Sequence, residues 1–147
     1  MFDLQTLTDH VEINALVGEF TDAGMMRDYD RWASLFTADA RWQIAPGALE
    51  FTGREAIRAG MERLQGNWEF FVQQVHPGWI SIDGDTATGR VYTEELGRFT
   101  DGSSHANYAI YHDKFRRTPD GWKFTERVYE FRYRDDSALP GTAAPRS

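Results

Sequence analysis

The spacing of hydrophobic residues differs between the part of the chain before Trp68 and the part after it. Before Trp68, apolar side chains recur every three or four positions, which predicts amphipathic helices packed on one side. Asp9-x-x-Glu12 and Thr52-x-x-Glu55 have the pattern of capping boxes, which mark helix starts. A third, short helix is predicted over residues 28–36, followed by a strand over 40–44. The apolar stripes of the first and last helices are Ile13, Leu16, Val17 and Phe20, and Ile57, Met61 and Leu64.

From Trp68 onward the pattern changes to that of extended strands joined by tight turns. Strands are predicted over residues 69–75, interrupted at Pro77-Gly78 and resumed over 79–82, and then over 87–99, 105–117 and 122–133. Helices followed by long antiparallel strands predict an α+β fold, with helices covering one face of a curved sheet and a pocket between them. We expect one domain over residues 1–134 and a flexible C-terminal tail over 135–147.

Composition narrows the function classes. The 147 residues contain 16 Lys+Arg against 23 Asp+Glu, a net charge of −7, which disfavours nucleic acid and anionic membranes as partners. There is no cysteine, so disulfides, thiolate metal sites and cysteine nucleophiles are excluded. A basic, apolar leader and a run long enough to span a bilayer are not found, so a cytoplasmic protein is predicted. The 14% aromatic share indicates a large core or an aromatic-lined cavity.

Cofactor motifs are missing from the sequence. Neither a Gly-x-Gly-x-x-Gly turn nor a phosphate-binding Gly-x-x-x-x-Gly-Lys loop occurs. The four histidines never pair at metal-ligand spacing on a helix, and His105 and His112 fall on opposite faces of their strand. We therefore expect no cofactor and no metal.

Asp113 is the candidate acid/base residue that strand parity selects. With a regular strand over 105–117, Asp113 shares a face with His105, Asn107, Tyr111 and Phe115. A carboxyl among aromatic side chains has its charged form disfavoured, which suits proton transfer near neutral pH. The alternative is an exposed Asp113 paired with Lys or Arg.

Four segments of the sequence resemble SnoaL-like domains of the nuclear transport factor 2-like superfamily. The similarity covers nearly everything except the tail. The matching segments are residues 27–40, 52–57, 82–87, and 111–115 together with 120–124.

The resemblance implies a particular fold and a range of activities. The fold would be a cone-shaped barrel of a strongly curved mixed β-sheet, covered by three helices from the N-terminal half and enclosing an apolar pocket. The family includes scytalone dehydratases, bile acid dehydratases, ketosteroid isomerases, limonene epoxide hydrolases and polyketide cyclases, which work without a cofactor. It also includes oxygenase small subunits and non-catalytic binding modules, so the fold alone does not define the function.

The family's dehydratase residues are replaced in this chain. The Asp and His of their dyad align with Met25 and Gln73, and a first-helix tyrosine aligns with Phe20. Asp22 and His76 are conceivable substitutes, the latter if a bulge at Pro77-Gly78 turns it inward. Otherwise His76 would lie on the rim or at an interface.

Asp113 fits the resemblance better, because it aligns with the carboxyl that ketosteroid isomerases and polyketide cyclases use. By the same analogy Phe20, Met25, Trp42, Ile44 and Gln73 line the pocket. Asn107 and Tyr111 would supply polar contacts to a ligand.

The leading hypothesis is a cofactor-independent lyase, isomerase or cyclase acting on a small hydrophobic ring-containing metabolite. Asp113 would be the acid/base group, assisted by His76 or Asp22. The alternative is a non-catalytic binding or assembly module, including one like an oxygenase small subunit, which the lost dyad favours. The outer sheet face carries Arg90, Tyr92, Tyr108 and Ile110, so we predict a homo-oligomer, a dimer in preference to a trimer.

Overall fold

Helices occupy the first part of the chain and strands most of the rest. The computed structural model describes residues 1–144, apart from the side chains of Pro46 and Pro77. The predicted α+β class is confirmed. The helices are α1 (Leu4–Met26), α2 (Tyr29–Ser34), the single turn α3 (Ala45–Ala48) and α4 (Arg54–Gly66). The strands are β1 (Phe36–Ile44), β2 (Leu49–Thr52), β3 (Trp68–Asp83), β4 (Thr86–Phe99), β5 (Ser104–Thr118) and β6 (Gly121–Asp135).

The strands form one mixed sheet in the order β2-β1-β6-β5-β4-β3. Every neighbouring pair is antiparallel except β1 and β6, which are parallel. The sheet curls around the helices as the predicted cone does, but it is not closed into a barrel. Strands β2 and β3 are its two edges.

Helix α1 packs across the concave face of the sheet because its apolar positions follow the helical period. Ile13 and Ala23 are fully buried, and Leu16, Val17 and Phe20 are nearly so. Helix α4 is amphipathic in the same way and buries Ile57 and Met61. These two helices and the concave sheet face enclose the site described below.

Both predicted capping boxes are wrong. Helix α1 begins one and a half turns before Asp9, where the Asp3 carboxylate accepts a hydrogen bond from the Thr6 backbone nitrogen at 2.8 Å. Helix α4 follows Gly53, whose φ of 89° suits glycine, and it has no side-chain cap. The Asp9 side chain forms a long-range interaction instead of a helix cap, since it is buried and paired with Arg117 from β5.

The predicted interruption of β3 is present as a break in its pairing with β4. The register shifts between His76 and Trp79. A Cβ atom added at Gly78 would lie 1.6 Å from the Arg90 carbonyl oxygen, so a larger residue would force the strands apart. The close approach of the backbones therefore requires glycine at this bulge.

The segment after β6 has no regular secondary structure as far as Ala144. The Arg98 side chain donates to the carbonyl oxygens of Leu139 at 2.7 Å and Gly141 at 2.8 Å. The domain boundary and the flexibility of the tail stay predictions, and the last three residues of that tail lie outside the described residues. Among the described helices, none is both long enough and apolar enough to cross a bilayer.

Candidate active site

A cavity of about 260 Å³ lies between helices α1 and α4 and the concave face of the sheet. Aromatic and aliphatic side chains make up most of its wall. Polar side chains interrupt that wall, and they are Thr21 of α1, Gln65 of α4, Asn67, Gln73 of β3, Glu95 of β4, His105 and Asn107 of β5, and Arg134 of β6. The apolar lining residues are Phe20, Trp42, Ile44, Leu49, Met61, Leu64, Trp68, Phe71, Phe99, Tyr111, Tyr129 and Phe131.

Most of the residues predicted to bind substrate lie on this wall. They are Phe20, Trp42, Ile44, Gln73, Asn107 and Tyr111. Met25 is not among the lining residues, although its sulfur accepts a hydrogen bond from the Gln73 backbone nitrogen at 3.5 Å. Contact with a substrate stays a prediction for all seven residues.

His76 and Asp22 lie outside the cavity, which corrects the expectation that they assist catalysis from within it. The His76 side chain is 54% exposed, and its ring nitrogen lies 2.9 Å from the Glu94 carboxylate. The bulge at Gly78 follows His76 and leaves it on the opposite side of β3 from Gln73. Asp22 is 57% exposed and forms an ion pair with Arg31.

Asp113 is buried, as parity predicts, but it is not among the residues that line the cavity. Its two oxygens accept from Arg127 Nε at 2.7 Å and Nη2 at 2.9 Å, and both side chains are fully buried. The guanidinium also lies over the Tyr111 ring, 3.8 Å from its centre. Burial raises the pKa of the Asp113 carboxyl, and the Arg127 charge opposes that rise. The carboxylate therefore neutralises a buried cation behind the cavity wall.

Glu95 is the carboxyl that lines the cavity, and the sequence analysis did not select it. Its side chain projects from β4 among aromatic residues and is only 10% exposed. Gln73 Nε2 donates to Glu95 Oε1 at 2.9 Å, and Thr21 Oγ1 donates to Gln73 Oε1 at 2.8 Å. This chain of hydrogen bonds ties the carboxyl to β3 and α1 and fixes its orientation.

The surroundings of Glu95 favour its protonated form. Burial raises the pKa of Glu95, and the hydrogen bond from Gln73 offsets only part of that rise. The second carboxyl oxygen lies 4.0 Å from His105 Nε2. Burial also lowers the pKa of His105, and the charge of Arg134 lowers it further. Both members of this pair are thus biased towards their neutral forms.

The burial pattern of β4 contains the signal that identifies Glu95. Ala87, Gly89, Val91 and Thr93 are buried at alternate positions, and Glu95 continues that inward face. A carboxyl on a strand face that is otherwise small and uncharged marks a buried acid. Glu94, the preceding residue, belongs to the outer face, where it pairs with His76.

The fold and cavity define a class of protein: a curled mixed sheet, covered by helices, around an aromatic cavity. The family model described as "SnoaL-like domain" matches residues 5–128. The chain belongs to that family, within the NTF2-like superfamily.

Relatives with similar sequence or structure agree with this assignment. An uncharacterized protein of Mycobacterium tuberculosis, Rv2910c, is 29% identical over 132 residues, 87% of this chain and 88% of the relative. A candidate scytalone dehydratase from Novosphingobium aromaticivorans DSM 12444 superposes with a TM-score of 0.82 at 20% identity, covering 95% of this chain and 97% of that one. The hexachlorocyclohexane dehydrochlorinase LinA-type3 from Novosphingobium barchaimii LL02 gives 0.84 at 21% identity, covering 99% and 100%. These structural likenesses establish the fold, on which small-molecule enzymes are built.

Proposed function

We propose that the protein is a cofactor-independent lyase, isomerase or cyclase that acts on a small, apolar, ring-containing molecule. Glu95 would be its acid/base group. The observation that carries the proposal is a nearly buried carboxyl projecting into an aromatic cavity and held by the neutral amide of Gln73. Such a carboxyl can donate a proton near neutral pH and then act as the conjugate base.

The arrangement around Glu95 supports a role in proton transfer. Gln73 holds one carboxyl oxygen, which leaves the other free to meet a reacting group. His105 Nε2 lies 4.0 Å from that second oxygen, too far for a hydrogen bond but close enough for both groups to reach one ligand. A neutral acid and a neutral imidazole side by side can give and take protons at neighbouring atoms of a ring.

Glu95 takes the role that the sequence suggested for Asp113. Both oxygens of Asp113 are bound by Arg127, so a substrate would have to break a buried ion pair to reach them. Glu95 requires no such disruption. This difference favours Glu95 as the reacting carboxyl.

Replacing Glu95 by glutamine tests the proposal. Glu95→Gln keeps the oxygen that accepts from Gln73 and removes the exchangeable acid proton. We expect turnover to fall by about 10²-fold or more, measured on the first ring compound that wild type converts from a panel of cyclic alcohols, enones and epoxides.

Glu94→Gln is the matched control, because Glu94 is the neighbouring residue on the outer face and pairs with His76 there. Its turnover should equal that of wild type. Equal rates in the Glu95 variant and wild type, at equal folded fraction, would contradict the proposed role of Glu95.

A non-catalytic binding module is the second candidate. One specific observation favours it: the positions aligned with the family's Asp–His dyad hold Met25 and Gln73, neither of which can ionise, and these two residues contact each other. A wild-type protein that binds ring compounds but converts none of the panel would support this reading over the enzyme.

A further inference from the structure

We infer that the cavity selects ring compounds that carry a hydroxyl or carbonyl oxygen, in preference to halogenated hydrocarbons of the same size. The inference rests on the proposed function, since it names the substrate class of that site. It starts from three buried polar atoms that lack a hydrogen-bond partner within the described residues 1–144. They are His105 Nε2, Asn107 Oδ1 and the Tyr129 hydroxyl, and all three residues line the cavity.

The three residues and Glu95 lie on neighbouring strands. Asn107 of β5 is paired in register with Glu95 of β4, and His105 precedes Asn107 on the same face of β5. Tyr129 projects from β6, where it is paired in register with Tyr111 of β5, and it lines the same cavity. One part of the cavity wall is therefore polar.

Much of the remaining wall is apolar. Phe71 of β3 and Leu64 and Met61 of α4 face the same cavity, and their side chains have no hydrogen-bond donor. A ring compound with one oxygenated edge matches this division, because its edge meets the polar part and its apolar body meets the remainder.

An oxygen substituent satisfies atoms that a halogen leaves unpaired. A ligand hydroxyl can donate to Asn107 Oδ1 and accept from the Tyr129 hydroxyl, whereas a ligand carbonyl can accept from Tyr129 alone. A carbon–chlorine bond donates nothing and accepts weakly. Binding a chlorinated ring would bury the three polar atoms more deeply without partners. This cost makes the affinity for the chlorinated ring lower than that for the oxygenated analogue.

Two probes of similar size and shape test the inference without requiring turnover. Binding of 2-naphthol and of 2-chloronaphthalene is measured by titration calorimetry and by chemical-shift perturbation. We expect wild type to bind 2-naphthol at least about tenfold more tightly. Tyr129→Phe should remove most of that preference by weakening 2-naphthol binding and leaving 2-chloronaphthalene unchanged.

The exposed Tyr133 provides the matched control, since Tyr133→Phe deletes the same atom outside the cavity. Equal affinity of wild type for both probes would overturn the inference and leave the proposed function standing. An unchanged preference in Tyr129→Phe and in Asn107→Leu would also overturn it. A wild type that binds neither probe would contradict both the inference and the ring-ligand class of the proposed function.

Discussion

Two buried carboxyls on adjacent strands differ in what surrounds them. Asp113 faces a guanidinium that holds both of its oxygens, while Glu95 faces the Gln73 amide and the His105 imidazole. A cation stabilises the ionised form of a carboxyl, whereas neutral donors in an apolar cavity leave the desolvation cost in place. This difference favours a structural role for Asp113 and supports Glu95 as the proposed acid/base group.

Removing the charge of Asp113 should destabilise the protein more than it affects turnover. In Asp113→Asn, the fully buried Arg127 loses its counter-charge, and we expect a loss of about 3 kcal/mol in the free energy of unfolding. Turnover per folded molecule should be nearly unchanged. Urea denaturation gives the first quantity, and assays corrected for folded fraction give the second.

The paired change Asp113→Leu with Arg127→Met controls for the charge left behind. It removes both buried charges and should recover part of the lost stability. A folded Asp113→Asn protein without turnover would instead assign the acid/base role to Asp113.

At the scale of elements, a single ion pair attaches α1 to the end of β5. Arg117 donates to the two oxygens of Asp9 at 2.7 and 2.8 Å, and Trp122 Nε1 donates to the first of them at 3.1 Å. The Arg117 guanidinium also lies over the Trp122 ring. Because α1 covers the concave sheet face, this attachment anchors the N-terminal part of that helix to the sheet.

Asp9→Asn should weaken that attachment in a pH-dependent way. Hydrogen bonds from Arg117 lower the pKa of Asp9 below its ordinary value of 3.8. A lowered pKa contributes stability that is present above about pH 4 and is lost as the pH falls further. We expect wild type to exceed the variant by about 3 kcal/mol at neutral pH, with the gap shrinking in acid, as thermal unfolding at several pH values would measure.

Asp120→Asn serves as the control, because Asp120 is exposed in the turn between β5 and β6. It should match wild type across the pH range. A gap for Asp9→Asn that stays constant down to pH 2 would rule out the ion pair as the cause.

For the whole molecule, the outer face of the sheet is the surface that suggests self-association. Large side chains on it remain exposed, with values of 49% for Trp79, 50% for Tyr108 and 59% for Tyr133. Arg90 lies over the Trp79 ring, which adds to this amphipathic surface. An exposed aromatic face of this kind is typical of protein–protein interfaces.

We predict a homodimer formed through this outer sheet face. Light scattering at micromolar concentration should give twice the chain mass of 16.9 kDa. Tyr108→Glu should shift the mass to that of a monomer, because a charge would be buried in the interface. Leu7→Glu, an equally exposed position on α1, should remain dimeric, and a monomeric wild type would refute the prediction.

Local periodicity was sufficient to predict several parts of the fold. The three- and four-residue spacing in α1 and α4 predicted their buried faces, since a helix repeats every 3.6 residues. The two-residue period of β5 put Asn107 and Asp113 on the buried face for the corresponding reason. Pro77-Gly78 likewise predicted the interruption of β3. Each of these depends on residues close together in the chain.

The contacts of the buried acidic side chains depend on residues that are distant in the chain. The sequence alone places Asp9 in a capping pattern, but Arg117, 108 positions away, binds it instead. Asp113 and Glu95 are both carboxyls on inward strand faces, and the sequence does not distinguish them. Only the pairing of β5 with β6, which sets Asp113 opposite Arg127, neutralises one and leaves the other in the cavity. The sequence determined which faces are buried because that follows from the period of each element, whereas the charge state of a buried group follows from neighbours that only the tertiary structure brings into contact.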